Sequence, residues 1–566
     1  MNSFNLVDQK WIPCIMLDGT CDEKSIKEVI LEASDIKEIF DNSPLVTVAL
    51  HRLLLAILHR NLGPANENEW GFLWNNGSGE WDTDRILTYL DKWHHRFDLF
   101  DNKYPFYQCS AMPISTTDAK GKPKSYARPI ANLIHELVTG DNATLFDHTN
   151  EDNPPAISPP EAARSLVAFQ AFAVGGLITF ESGQDRTKFG SADNAPLVKG
   201  AVSLVQGENL LQTLMLNLHK YNRYDGEPFE SKPDDLPIWE RNDETLAIDR
   251  YPKGYLDLLT WQSRRIRLIP GQDNTGQSII KQVVIMKGNQ FPDGYSLHNK
   301  EPMLAFRKIL KPGKGQDPWP PVAFQEDKAL WRNSVNLFQS VEEERARLKI
   351  LGWVSDLVEE DKLPRQAVYN LALMGLVTSK AKISLWRHER LPLPLQYLED
   401  EDLVDALKEA LELAEDVGKL LGSGFIEIEI TDKKGKRKTI RVPSPLRILA
   451  SELLLKDQNG KTDPDAAKTL TESLSPSRPF WAALGIAFNR FMLDLAADKS
   501  EGRINSLQWW AKEIRKAASN AFEETARGLD RTGRTLKAVS KAENEFKKRL
   551  YDILKPYINE TTEGGE

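Results

Sequence analysis

The side chains of this sequence that could do catalytic chemistry do not converge. The stretch GLDRTGRT (528–535) has the spacing of a phosphate-cradling loop, in which backbone N–H groups hold the phosphates and a lysine reaches the outermost ones. Arginine (Arg534) stands at the lysine position, and the stretch lies inside a basic helical pattern rather than after a strand, so no nucleotide loop is expected. GKGQDP (313–318) departs from G-x-G-x-x-G at its last position. His94 and His95 are adjacent, which turns two imidazoles in different directions, and neither H-E-x-x-H nor C-x-x-C occurs. No G-x-S-x-G nucleophile elbow is present. The chemistry these residues predict is binding rather than catalysis, with no metal and no cofactor.

Cationic chemistry is better represented. SKAKISLWRHER (379–390) holds Lys380, Lys382, Arg387 and Arg390 against one acid, Glu389, in a chain of formal net charge −9. Read as a strand, it puts Lys380, Lys382, Ser384, Trp386, His388 and Arg390 on one face and Ala381, Ile383 and Leu385 on the other. Six of the nine residues 433–441 are Lys or Arg, among them Lys433, Lys434, Lys436 and Arg437. Residues 503–555 carry 13 Lys/Arg against 7 Asp/Glu, a local +6 that leaves −15 for the rest of the chain. Such patches attract polyanions whatever the total charge.

The elements that must position these residues follow from periodicity. Residues 44–61 repeat apolar side chains at helical spacing and read as a buried helix. Residues 109–130 are polar, basic and aperiodic, which predicts a long loop; ANLIHELV (131–138) reads as a helix after it. Residues 161–180 predict a helix running into Gly175-Gly176, and 181–196 a further loop. Residues 261–291 alternate around GQDNTG, a hairpin, and 425–442 alternate around DKKG, a second one. From Leu391 onward four stretches place apolar residues at i, i+3, i+4 and i+7, the pattern of a helical bundle.

At 566 residues the chain is too long for one core. The expected class is α+β: a mixed α/β domain over 1–390, then a helical domain over 391–566 with the basic hairpin inserted at 425–442. No run of 18 apolar residues predicts a membrane span, no secretory signal opens the sequence, and Cys14, Cys21 and Cys109 have neither disulfide nor zinc spacing. A cytoplasmic chain without a membrane partner is expected.

Five stretches in one order carry a resemblance: FNLVDQKWIP (4–13), YPFYQ (104–108), GDNATLFDH (140–148), APLVKGAVSLVQG (195–207) and AKISLWRHERLPLP (381–394). Together they resemble the CasA family, the large subunit of the type I-E CRISPR surveillance complex Cascade. The resemblance implies a large mixed N-terminal domain, a C-terminal four-helix bundle and no catalysis. It implies as partners a crRNA, the other Cascade subunits (backbone, small and handle-binding), target double-stranded DNA and a helicase–nuclease. The implied tasks are to read the protospacer-adjacent motif (PAM) from the minor groove, to help open the duplex into an R-loop, and to recruit the nuclease.

Carried over by position, the family's wedge beside the PAM falls on Ser379, Lys380 and Ala381, with Lys382 following; some relatives have glutamine where Lys380 stands. The family's glycine-rich PAM loop falls on 181–194, with Ser182, Gly183 and Gln184 as contacts. Its PAM-side lysine falls on Lys287, with Lys281 as the alternative. The family's element that contacts the crRNA handle or a neighbouring subunit falls on 109–130 and 140–150, which offers Lys120, Lys122, Lys124, Asn142 and Phe146. Charge alone adds Lys433, Lys434, Lys436 and Arg437 as contacts to DNA backbone. Two other readings stand beside this one: a scaffold subunit that does not read DNA, and a metal-dependent nuclease whose site forms only on folding.

Overall fold

A computed structural model describes residues 3–75, 81–117, 121–136, 155–221, 229, 232–242, 247–313, 316–326, 328–338, 345–346, 348–379, 382–431, 436–455, 458, 460–474 and 476–558. The fold is α+β and forms two compact units, Met1–Leu330 with Asn336–Leu398, and Trp331–Val335 with Glu399–Glu566. The sequence boundary at 390/391 therefore moves to 398/399. The strand Lys382–Pro394 runs past it, and the short turn Leu395–Leu398 buries Leu395, Tyr397 and Leu398 in the first unit.

The first unit is built around the helix Pro44–Asn61. Pro44 at its first turn needs no N–H partner, and apolar residues surround the axis, so every residue but Arg60 is buried. Its one buried guanidinium, Arg52, meets the buried Glu301 at 2.9 Å, which keeps either charge from being stranded. The antiparallel sheet in the order 382–394, 368–379, 202–206 packs beside this helix. Its middle strand runs Leu-Ala-Leu-Met-Gly-Leu-Val (371–377) and is buried throughout, paired on both edges as far as Met374 and on one edge beyond it. The hairpin Arg264–Gln272/Ser278–Lys287 turns where Asp273 Oδ1 accepts the N–H groups of Thr275 and Gln277 at 2.8 and 2.9 Å.

Two expectations are corrected in this unit. Residues 109–130 are not one loop: Ser115–Thr117 pairs with Pro123–Ser125, and Arg128–Pro129 adds a third strand to the 264–287 hairpin. Strands of two or three residues on the surface are too short to leave a period. ANLIHELV is not a helix over its described part. It makes only the 3-10 turn Ile130–Leu133, whose buried Ile130 and Leu133 lie three apart, the period of that tighter helix.

In the second unit the long helices are Glu401–Leu420, Ser477–Ala497, Ile504–Arg527 and Gly533–Leu554, with Pro445–Leu453 and Pro464–Leu474 shorter. The first of these packs against the other three long ones. Aromatic pairs fill the centre: Phe491 stacks on Trp510 at 4.8 Å and Phe522 on Phe546 at 4.7 Å. Ser477–Ala497 is long and apolar enough to cross a membrane by length and composition, although no unbroken apolar run exists; here it buries Phe480, Leu484, Phe488, Phe491, Met492 and Leu495 against its neighbours. The phosphate-loop spacing at 528–535 is a link between helices. Gly528 caps one, Thr532 caps the next, and Asp530 accepts from Thr532 and Thr535.

Candidate nucleic-acid interface

The loop 181–194 is the best-defined part of the candidate site. Its two stems run side by side as Gly176–Leu177 and Ser191–Ala192. Gly175 is required there, because a Cβ would lie 2.9 Å from Asn194 N and 3.0 Å from Ala192 O. One guanidinium ties both stems. Arg264, buried, donates to Asp193 O at 2.7 Å, Val174 O at 3.2 Å and Ser263 O at 2.9 Å. Burial lowers its pKa to about 10, so it remains charged at neutral pH.

Above the stems the loop is held by three different elements. Ser182 N–H donates to the phenolic oxygen of Tyr126 at 2.7 Å. Arg265 pairs with Glu181 at 3.3 Å. Lys287 Nζ donates to Lys188 O at 3.1 Å. At the tip Gly183 takes φ +88° with nothing within 4 Å of where a Cβ would stand, while Gln184 folds back so that its Oε1 accepts Glu181 N–H at 3.2 Å. Ser182 and Gly183 are exposed and Gln184 half-buried.

The structure therefore brings Lys287 to the 181–194 loop and leaves Lys281 away from it. Lys281 is the extra residue of a bulge opposite Ile269/Pro270, exposed and six residues down the strand, roughly 20 Å at about 3.3 Å per residue. Lys122 and Lys124 are exposed on the short hairpin that precedes Tyr126. Tyr126, Arg264 and Arg265 are the positioning residues that sequence reasoning missed. Both arginines read as ordinary members of an alternating strand, and nothing local marks the tyrosine.

The hairpin Val368–Ser379/Lys382–Pro394 has Ser379 paired with Lys382 at its end. Lys380 and Ala381 lie outside the described residues, as do Lys120, Asn142, Phe146, Lys433 and Lys434. The face assignment of 379–390 needs correction. A register shift between Val377 and Thr378 leaves Ser384 without an opposite residue, so Ile383, opposite Thr378, stands on the side of Trp386 and not on that of Leu385. The cationic character of the stretch also shrinks on folding. Arg387 donates to Lys328 O at 3.1 Å and to Glu326 O, and Arg390 pairs with Glu38. Burial and, second, the Arg390 charge hold His388 below the usual histidine range. Trp386 is 39 % exposed, a large apolar surface on an edge strand.

In the second unit Lys436 and Arg437 are exposed at the stem of the hairpin Phe425–Thr431/Arg437–Pro443. Several cations of 503–555 are paired, three with acids of the same segment and two with acids outside it. Arg503, Arg527, Lys541, Lys547 and Arg549 meet Asp400, Glu523, Glu452, Glu543 and Glu545 at 2.6–2.9 Å.

Comparison with known proteins gives a consistent picture. A family model described as CRISPR-associated protein Cse1 matches residues 5–521. The CRISPR-associated protein CasA/Cse1 of Thermus thermophilus is 31 % identical over 565 residues, 98 % of each chain. The crystal structure of Thermus thermophilus CasA aligns at TM-score 0.75 and 28 % identity over 97 % of this chain and 100 % of that one. Thermobifida fusca Cse1 aligns at TM-score 0.79 and 25 % identity over 98 % and 99 %. A chain of a CRISPR RNA-guided surveillance complex aligns at TM-score 0.68 over 96 % and 100 %, at 16 % identity, and so shares the fold. The chain belongs to the CRISPR-associated Cse1 family, also called CasA.

Proposed function

We propose that this chain is the large, non-catalytic subunit of a type I-E CRISPR surveillance complex, in which it reads the PAM of double-stranded DNA, helps open the duplex and recruits the helicase–nuclease. The observation that carries the reading is the bond from Lys287 Nζ to Lys188 O. It joins the two elements that the family resemblance assigns to the same short stretch of DNA, a glycine-turned loop and a lysine beside it. The minor groove offers a degenerate pattern, so a few backbone groups and one or two lysines suffice to read it. The end of the hairpin at Ser379–Lys382 supplies the wedge. Unstacking the step beside the PAM costs a few kcal/mol, and guide pairing then reads the sequence.

A scaffold reading is favoured by one observation: Arg387 and Arg390 already have partners within the chain, Arg387 on the carbonyls of Lys328 and Glu326 and Arg390 on the Glu38 carboxylate. A titration of guide-loaded complex, with and without this chain, separates the two. The duplexes share one protospacer behind a randomised flanking trinucleotide. The PAM reader tightens binding for a subset of flanks, and Lys380→Ala erases that preference. Equal tightening for all flanks, or none, leaves the scaffold.

A further inference from the structure

The segment YPFYQ (104–108) carries part of the family resemblance, but the reading above gives it no task. It forms the wall of a cavity of about 210 Å3, far larger than the roughly 10–15 Å3 that one ordered water occupies. Arg96, Lys103, Tyr104, Trp239 and Asn242 also line it. The aromatic ring of Tyr104 gathers two cations: the Arg96 guanidinium lies 4.3 Å and the Lys103 ammonium 4.9 Å from its centre.

Neither cation has an ion pair among the described residues. Arg96 is buried, and among those residues the only acceptor for its five N–H donors is Arg241 O. The nearby carboxylates are otherwise engaged. Asp101 Oδ1 accepts the N–H groups of Lys103 at 2.8 Å and Tyr104 at 2.6 Å, and Glu240 is held by Arg60 at 2.6 Å and by the Tyr89 hydroxyl at 2.6 Å. The remaining donors of Arg96 and the Lys103 ammonium face the cavity, where an anion could accept charge-assisted hydrogen bonds from both. The wall is also strained: Tyr107, buried, has φ +57°, a left-handed conformation that bulky residues rarely adopt.

We propose that this cavity binds the phosphate of a nucleotide, with Arg96 and Lys103 on the phosphate oxygens and the Asn242 amide at the rim. The site lies within the first unit and needs neither guide RNA nor a DNA duplex, so it stands or falls apart from PAM reading.

Calorimetric titration of the full chain at low ionic strength tests it, with adenosine 5′-monophosphate, inorganic phosphate and adenosine as probes. The nucleotide should saturate one site, and adenosine should not bind. Phosphate matching the nucleotide identifies the oxyanion itself as the ligand; phosphate binding more weakly adds a grip on the nucleoside. Both results support the site. Lys103→Gln, an exposed substitution that spares the fold, should weaken the nucleotide roughly tenfold, the loss of one charge-assisted hydrogen bond. Lys468→Gln, in the second unit, should leave it unchanged. No saturable binding of nucleotide or phosphate, adenosine binding as tightly as its monophosphate, or an unaltered Lys103→Gln affinity would overturn the proposal.

Discussion

The phenolic oxygen of Tyr126 accepts the backbone N–H of Ser182 at 2.7 Å, so the core of the 264–287 hairpin reaches out and fixes the crest of the 181–194 loop. The tyrosine ring is buried among Cys109, Met112, Val284 and Met286. Tyr126→Phe keeps that packing and removes the hydroxyl, and with it the acceptor for Ser182 and the contact with Thr116. The loss of one neutral hydrogen bond costs about 1 kcal/mol, close to fivefold in a local opening equilibrium. Amide exchange at Ser182 should therefore accelerate about fivefold while global stability barely moves. Unchanged exchange at Ser182 would show that the stems alone hold the loop.

Arg264 tests those stems. Its guanidinium serves the carbonyls of Val174, Asp193 and Ser263, two of them on opposite sides of the loop. Arg264→Met fills similar volume but leaves these acceptors without a donor, at about 1–3 kcal/mol for each one that water cannot reach. The urea midpoint should fall and PAM discrimination should weaken together. Arg264→Lys supplies fewer donors and should lie between. A methionine variant with native stability and lost discrimination would mean that Arg264 acts on DNA rather than on the loop.

How much of this was legible beforehand depended on sequence distance. The hairpins 264–287 and 425–443 and the helix 44–61 announce themselves because their period is written in neighbouring residues. The pairing of Ser182 with Tyr126, or of Arg390 with Glu38, joins residues far apart in sequence with no local pattern to reveal them. Charge counting at 503–555 has a different blind spot. Glutamates one turn away neutralise several of its cations, and the sum over the segment hides who faces whom. The bulge at Ser384 is subtler. One unpaired residue reverses the alternation on which the whole face assignment rested.

Three buried histidines and the half-buried His135 set the acid limit of the first unit. Burial pushes His51, His135 and His219 down to about 4 and His59 well below its usual range. His59 and His219 lie 4.8 Å apart, and neither ring nitrogen of His59 has a partner among the described residues. The unfolded chain takes up protons near pH 6.5 while the folded one does not, so stability is complete above that pH. It is lost as pH falls from about 6.5 toward 4, by about 1.4 kcal/mol per histidine per unit. The urea midpoint should drop clearly between pH 7.5 and pH 5.0, and His219→Phe should reduce the drop. Equal midpoints at the two pH values would contradict the assignment.

The basic hairpin and the basic helices of the second unit make opposite predictions under charge reversal. Arg437 is exposed and has no ion pair among the described residues, whereas Arg549 meets Glu545 at 2.6 Å on its own helix. If the hairpin follows DNA backbone, Arg437→Glu removes a phosphate contact. The slope of log affinity against log salt should then fall by about 0.9 for that contact, and affinity should drop equally for all flanking sequences. Arg549→Glu instead puts two acids side by side one turn apart, which costs a few tenths of a kcal/mol of helix stability and leaves the slope alone. The two slopes, measured on guide-loaded complex over the same salt series, decide the matter. A slope unchanged by Arg437→Glu removes the hairpin from the DNA path. A slope lowered equally by Arg549→Glu would mean that the DNA competes with Glu545 for its arginine and that the paired helices, too, lie along the duplex.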